Sequence, residues 1–235
     1  MRRSLLTPTL LRAPFGLGLL PGVLFAALST GCGGSVKPER GPAYQPVATP
    51  ETVSVCPEQW HAAKDAREAM LGLDSVQAKE HAAAAVLAQA ECERRAIESG
   101  HFVGGTHAAV LAEVSALGDA HRNVQNLYDE VGHYGVARFE IAAPLGRGQL
   151  HLNMATRLSR IQMPTDMPDA GEQAAFRAEI SSLVIHFRDR GEQDLRHCLA
   201  QIRAAPADQD WTERKTTACA QLATIGVSTE TCGTR

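Results

Sequence analysis

The spacing of apolar positions predicts long helices along most of the chain from residue 56 onwards. In the clearest stripe, apolar residues recur at alternating intervals of four and three, which places them along one side of a helix. The members of this stripe are Val110, Val114, Leu117, His121, Val124, Tyr128 and Val131. We therefore predict a helix over 107–132, which Thr106 can cap after the break at Gly104 and Gly105.

The same reasoning predicts four further helices. They cover 57–72, 75–99, 170–204 and 211–224. Their starts carry a proline at the first helical position, or an acidic residue followed three positions later by Gln or Glu, which is typical of a capping box. The residues with these signals are Pro57, Asp74 with Gln77, Asp169 with Glu172, and Asp210 with Glu213. Gly100 and Gly226 are expected to end two of the helices.

The segment 136–162 allows two interpretations. Alternating apolar and polar residues on both sides of the turn-like sequence 144–148 are typical of a β-hairpin. The apolar positions that follow this sequence also fit one side of a helix. We favour a short extended segment over 137–142 followed by a helix over 149–162, with the hairpin as the alternative.

The composition supports packed helices rather than a sheet, because only 5% of the residues are aromatic and alanine is abundant. We predict a mainly α fold, an antiparallel helical bundle with a short irregular or β-hairpin insert near 136–162. The helical domain is expected to span 56–225 and to be followed by a C-terminal tail over 226–235.

The N-terminus carries an export signal. Three arginines precede an uncharged apolar run over 13–28, which has the length of a signal-peptide core and is short for a membrane span. The run ends in Leu28-Ser29-Thr30-Gly31-Cys32, which resembles the lipobox of bacterial lipoprotein precursors. An ordinary secretory signal with a chance cysteine is the alternative, and the pair Arg2-Arg3 also resembles a twin-arginine export signal.

The lipobox resemblance implies that residues 1–31 are a signal peptide and that Cys32 is the lipidation site. The chain would then be attached to a membrane in the bacterial cell envelope and face the periplasm. Gly33 is not the aspartate that retains some lipoproteins at the inner membrane, so the outer membrane is favoured. Residues 32–55 are rich in Gly, Pro, Ser and Thr, and we expect them to form a flexible tether.

Charge limits the classes of partner. Removal of residues 1–31 takes away three arginines and no acidic residue, which leaves 20 basic against 26 acidic residues and a formal charge of −6. Nonspecific nucleic-acid binding requires a basic surface and is therefore not expected.

The cysteines predict disulfides, which persist in an exported protein. In an antiparallel helical hairpin, residues equidistant from the turn lie opposite each other. This geometry pairs Cys56 with Cys92 across the first hairpin and Cys198 with Cys219 across the last. Cys232 is then left over, and the competing pairing is Cys219 with Cys232. A third possibility is that all five cysteines are reduced.

No catalytic residue, metal ligand or cofactor is predicted. The nine histidines form no HExxH or CxxCH motif. His121 lies on a core stripe and is interpreted as a hydrogen-bonded core histidine, while His101 and His107 are interpreted as loop residues. Glu130 and His133 have the spacing of a metal-ligand pair but are interpreted as a solvated helix end.

The candidate interaction surface consists of arginines near 136–163, where Glu140 is the only acidic residue. It comprises Arg138, Arg147, Arg157 and Arg160, which suit an envelope protein or an acidic polymer as partner. The alternative is that these arginines pair with acidic residues on neighbouring helices. Two functions follow: a noncatalytic binding or scaffolding domain, or a metal- or small-ligand-binding lipoprotein that uses His and Glu within the bundle.

Overall fold

The computed structural model describes residues 55–73, 75–206, 211–228 and 232. The predictions for the signal peptide, Cys32 and most of the tether fall outside these residues. The described chain forms a mainly α bundle, as predicted, and contains no strand. Its helices are α1 (Pro57–Leu71), α2 (Val76–Ser99), α3 (His107–His133), α4 (Ala137–Leu158), α5 (Ala170–Ala204) and α6 (Thr212–Thr224). Across the described residues, no helix is both long enough and apolar enough for a membrane crossing.

Side-chain caps begin three of the helices. The side chains of Ser75, Thr106 and Asp169 accept hydrogen bonds from backbone N–H groups in the first turns of α2, α3 and α5. The caps at Thr106 and Asp169 confirm the sequence prediction. The prediction of Asp74 as a cap is wrong, because Ser75 takes that position and satisfies the N–H of Ala78. Asp74 and Asp210 themselves lie outside the described residues.

The irregular or hairpin insert is not present, because α4 runs unbroken through the turn-like sequence at 144–148. The two glycines of this sequence allow close packing instead of a turn. A Cβ atom on Gly146 would overlap the ring of Tyr128, and one on Gly148 would lie 2.8 Å from Cγ of Leu195. Pro144 is tolerated inside the helix, and its side chain is buried.

Helix α4 lies at the centre of the bundle and contacts α2, α3, α5 and α6. Of its 22 residues, 13 are buried. One side of α4 packs with α1, α2 and α3 around the fully buried Tyr128, Leu150 and Leu158. A second cluster joins α4 and α5 to α6. It consists of Leu152, Leu195, Leu199, Ala218 and Leu222.

Two disulfides bind the ends of the domain. Cys56 is bonded to Cys92 with their Cα atoms 6.1 Å apart, which is the pairing that the hairpin geometry predicts. The predicted Cys198–Cys219 pair is wrong, because Cys219 is bonded to Cys232 and Cys198 is a free, fully buried core residue. Gly226, with φ of +76°, turns the chain after α6, and Val227 packs back on the second cluster. Val227 and Cys232 are thereby held close to α6.

Candidate functional site

A chain of buried and half-buried polar residues joins α3, α4 and α5. Arg147 on α4 donates from Nε and Nη2 to the two carboxylate oxygens of Asp194 on α5, over 3.0 and 2.7 Å. Its third donor, Nη1, binds Asp129 on α3. One guanidinium therefore faces two carboxylates, and its positive charge is fully compensated.

Two histidines extend this chain into the core. Nε2 of His151 lies 3.4 Å from Oδ2 of Asp194, and its Nδ1 lies 3.0 Å from Nε2 of His121. In the tautomer of His151 that carries its proton on Nε2, facing the carboxylate, Nδ1 accepts a hydrogen bond from His121. Both rings pack against Phe187 and are only 3–4% exposed. We call the five residues the polar network: His121, His151, Asp194, Arg147 and Asp129.

The protonation states of the network follow from burial and from its charges. Burial lowers the pKa of His121 to about 4, and the neighbouring His151, Arg122 and His186 act in the same direction. Burial alone would raise the pKa of Asp194, but hydrogen bonds from His151 and Arg147 outweigh it and hold the pKa below its usual value. At neutral pH, His121 is therefore uncharged and Asp194 is ionised.

Glycines position the network. Gly148 and Gly191 face each other where α4 crosses α5, and a Cβ atom on Gly191 would lie 3.1 Å from the carbonyl oxygen of Gly148. This close approach brings Arg147 and His151, one turn apart on α4, within reach of Asp194 on α5. The glycines thus allow an ion pair to form between two helix backbones that nearly touch.

A polar cleft of about 530 Å³ opens beside Arg147, between α3, α4 and α5. Asp129 and Arg147 form part of its wall, and the exposed side chains of Glu140, His133 and His197 stand around it. Its remaining lining residues are Tyr128, Gly132, Ala143, Pro144 and Gln201. The cleft offers imidazole and carboxylate groups to a polar ligand. Neither in this cleft nor elsewhere among the described residues are three His, Cys, Asp or Glu side chains grouped so that they could hold a metal ion.

Glu130 does not lie at a solvated helix end, and the sequence interpretation of this residue is wrong. Its carboxylate accepts two hydrogen bonds from Arg67 on α1, at 2.7 and 2.8 Å, and a third from the hydroxyl of Tyr134. The carboxylate is therefore already engaged in joining α1 to α3. His133, its predicted companion, lines the polar cleft.

The four candidate arginines do not share one surface. Arg147 is enclosed by the polar network, so for this residue the alternative of pairing with neighbouring helices describes the structure. Arg157 donates to the carbonyl oxygen of Ile97 over 2.8 Å, at the end of α2, and lies over the ring of Phe102. Arg138 lies near Glu80, with 3.9 Å between their charged atoms, and Arg160 is exposed. Only Arg138 and Arg160 retain an accessible charge.

A second, apolar cleft of about 490 Å³ lies between the segment 158–163 and the first half of α5. Ile161, Met163, Ile180 and Val184 are only half-buried there. The rest of the lining comprises Leu158, Ser159, Phe176, Arg177, Ser181 and Ile185. This cleft contains one cation and no carboxylate.

Sequence reasoning identified His121 as a hydrogen-bonded core residue, and the structure confirms it. It missed the partners of His121. His151 lies in the segment interpreted as ambiguous, and Asp194 precedes the core residue Leu195 on a helix whose surface charges are numerous. A polar residue directly beside a core stripe, as both are, is the signal that was available in the sequence.

Comparison with known proteins does not assign the chain to a family, because no protein-family model matches it. No curated protein and no solved structure matches it either. The function proposed below therefore follows from the residues and contacts of this chain.

Proposed function

We propose that the protein is a lipid-anchored component of the bacterial cell envelope whose helical domain is a noncatalytic binding or scaffolding module. The lipobox-like sequence before Cys32 supports the anchor, and the tether over 32–55 supports a domain held away from the membrane. The disulfides Cys56–Cys92 and Cys219–Cys232 support export, because such bonds persist in an oxidising compartment.

The observation that carries the binding role is the open apolar cleft along α5. Surface apolar residues that form a concavity, rather than standing singly, are typical of an interaction site. The polar network, by contrast, pairs its charges internally. Binding is therefore assigned to the surface of the bundle, and the buried histidines are assigned to its stability.

The anchor is tested by labelling cells with palmitate. The wild-type chain should incorporate label and fractionate with membranes, and Cys32→Ala should do neither. Label that still enters Cys32→Ala would overturn the lipoprotein assignment. Nonreducing peptide mapping of the same protein should recover the two disulfides and a free thiol at Cys198.

The partner is tested by crosslinking in cells followed by mass spectrometry. If an acidic partner docks on the arginines that keep an accessible charge, Arg138→Glu and Arg160→Glu should weaken the crosslinks without lowering the melting temperature. Arg147→Glu is the contrasting variant, because a third carboxylate beside Asp129 and Asp194 should unfold the domain. Unchanged crosslinks in both exposed variants would remove the arginines from the interface.

A second function is favoured by the polar cleft, whose lining includes the exposed side chains of His133, His197 and Glu140. It is the binding of a small polar ligand, or of a metal ion for which these side chains would first have to converge, since no such group is assembled among the described residues. Metal analysis of protein purified without chelator, followed by calorimetric titration with zinc, tests it. Saturable binding that His133→Ala and His197→Ala abolish, and that the exposed control His186→Ala retains, would establish this function in place of the first.

A further inference from the structure

The apolar cleft runs along the axis of α5, and two rows of α5 side chains line it. Phe176, Ile180 and Val184 are spaced by four residues and form its inner row. Arg177, Ser181 and Ile185 form a second row beside them at the same spacing. Each row spans about 12 Å at the rise of an α-helix. This second row begins at the guanidinium of Arg177 and ends at Ile185, whose side chain is 57% exposed.

The opposite wall is also amphipathic. Ile161 and Met163 supply accessible apolar surface from the segment that follows α4, whereas Leu158 is fully buried, and Ser159 supplies a hydroxyl group. The cleft has a volume of about 490 Å³, within the range of sites for small molecules. Its apolar lining therefore suits an apolar chain, and its single cation suits a negatively charged group at one end of that chain.

We propose that this cleft binds a free fatty acid, with the carboxylate at Arg177 and the alkyl chain along Phe176, Ile180 and Val184 towards Ile185. This inference rests on the proposed binding role and names its ligand class. Charge complementarity is the reason to choose a carboxylate. No acidic residue lines the cleft, and among the described residues the guanidinium of Arg177 makes only a 3.4 Å contact with Gln173, so its remaining donors can pair with a carboxylate.

The alkyl chain gains free energy from the partly covered side chains. Each methylene removed from water contributes about 0.8 kcal/mol, so a chain that covers the two rows binds mainly through its tail. The carboxylate then selects the orientation and the class of ligand. A cationic amphiphile of the same length places an ammonium beside Arg177, which opposes binding.

The test uses the full mature chain with Cys32→Ser, so that the protein carries no acyl chains of its own. Dodecanoate, dodecanol and dodecylammonium compete, below their micelle concentrations, with a dansyl-labelled fatty acid. Dodecanoate should displace the probe about tenfold better than dodecylammonium, because one charge-assisted pair is gained and one repulsion avoided. Dodecanol should fall between them.

Two variants and a control locate the site. Arg177→Glu should weaken dodecanoate binding by about tenfold. Ser181→Trp should fill the cleft and abolish binding without lowering the melting temperature, since Ser181 is exposed. Arg190→Glu changes another exposed cation on α5 and should bind like the wild type.

Several results would overturn the proposal. They are the absence of saturable binding by the wild type, equal competition by all three amphiphiles, and undiminished binding by Ser181→Trp. Preference for a lysophospholipid over the free acid would assign the cleft to a lipid headgroup instead. None of these results would change the palmitate labelling or the crosslinking, which test the anchor and the protein partner. The fatty-acid proposal and the proposed function are therefore tested independently.

Discussion

The two halves of α5 belong to one continuous helix but have different surroundings. In the second half, from 188 to 204, Gly191, Leu195, Cys198 and Leu199 are buried, and α6 covers them together with α4. In the first half, from 170 to 187, Phe176 is the only buried residue. Ile180, Val184 and Ile185 are half-buried or exposed and line the apolar cleft, whereas Leu183 and Phe187 are half-buried against the main core.

The difference separates residues that hold the bundle together from residues that are available to a ligand. Asp194, in the second half, is bound by Arg147 and His151, so its charge is already used. Arg177, in the first half, has no carboxylate among its described contacts. Substitutions of the buried and network residues in the second half should therefore change stability, and those of the cleft residues in the first half should change binding.

The largest effect is expected for Asp194→Ala. This variant leaves the half-buried guanidinium of Arg147 with Asp129 alone and removes the acceptor of His151, so it should cost about 2–3 kcal/mol of unfolding free energy. Urea unfolding measures the loss. The control is Asp189→Ala, an exposed carboxylate on the same helix, which should cost no more than about 0.5 kcal/mol. Equal losses in the two variants would show that the polar network does not stabilise the second half.

A smaller loss is expected for Gly191→Ala, which adds one methyl group where α4 and α5 nearly touch. The new Cβ would lie 2.7 Å from Cδ2 of Leu152 and 3.1 Å from the carbonyl oxygen of Gly148. Overpacking should cost about 2 kcal/mol, even though alanine favours a helix more than glycine does.

The matched control is Gly118→Ala in the middle of α3. Its Cβ would have no neighbour closer than 4.0 Å, so the variant should gain about 0.5–1 kcal/mol from helix propensity. Thermal and urea unfolding compare the two variants. A gain in both would contradict the close contact between α4 and α5.

Acid should destabilise the domain through His121. Its pKa in the folded protein is about 4, against an ordinary value of 6.5, so below pH 6.5 the unfolded chain binds a proton that the folded chain does not. The stability that His121 contributes is therefore fully present above pH 6.5 and falls as the pH decreases towards 4, by at most about 1.4 kcal/mol for each pH unit.

The variant that isolates this effect is His121→Gln, whose melting temperature should depend less on pH across that window than the wild-type value. His61→Gln, at an exposed position on α1, should retain the wild-type dependence. The same pH dependence in His121→Gln as in the wild type would assign the acid effect to other groups.

The smallest effect is expected for Ile185→Ser in the first half of α5. The side chain is 57% exposed, and its replacement should change the unfolding free energy by no more than about 0.5 kcal/mol. The same variant should weaken fatty-acid binding, because Ile185 forms the tail end of the proposed site. A large loss of stability would instead place Ile185 in the core.

Local patterns in the sequence were sufficient for the helices whose signals are local. The stripe from Val110 to Val131 and the capping box at Asp169 predicted α3 and α5 within one residue of their observed bounds. In α4 the same kind of reasoning failed. Gly146 and Gly148 are typical of a turn in isolation, and only the presence of Tyr128, Leu195 and Gly191 opposite them makes them packing positions.

The polar network and the second disulfide also depended on contacts distant in the sequence. His151 and Asp194 are 43 positions apart by their numbering and meet because α4 and α5 cross at two glycines. The midpoint argument for Cys198 treated the last hairpin alone. It omitted the turn at Gly226, which returns the tail to α6 and gives Cys219 its partner.

The most direct test of the division of α5 is hydrogen exchange, resolved along the helix, in the mature chain with Cys32→Ser and with or without saturating dodecanoate. The ligand should slow exchange of the amides over 176–185 and leave those over 188–204 unchanged, because the cleft lies against the first half and the polar network already holds the second. Equal slowing in both halves, or slowing confined to 188–204, would contradict the division between a binding half and a structural half.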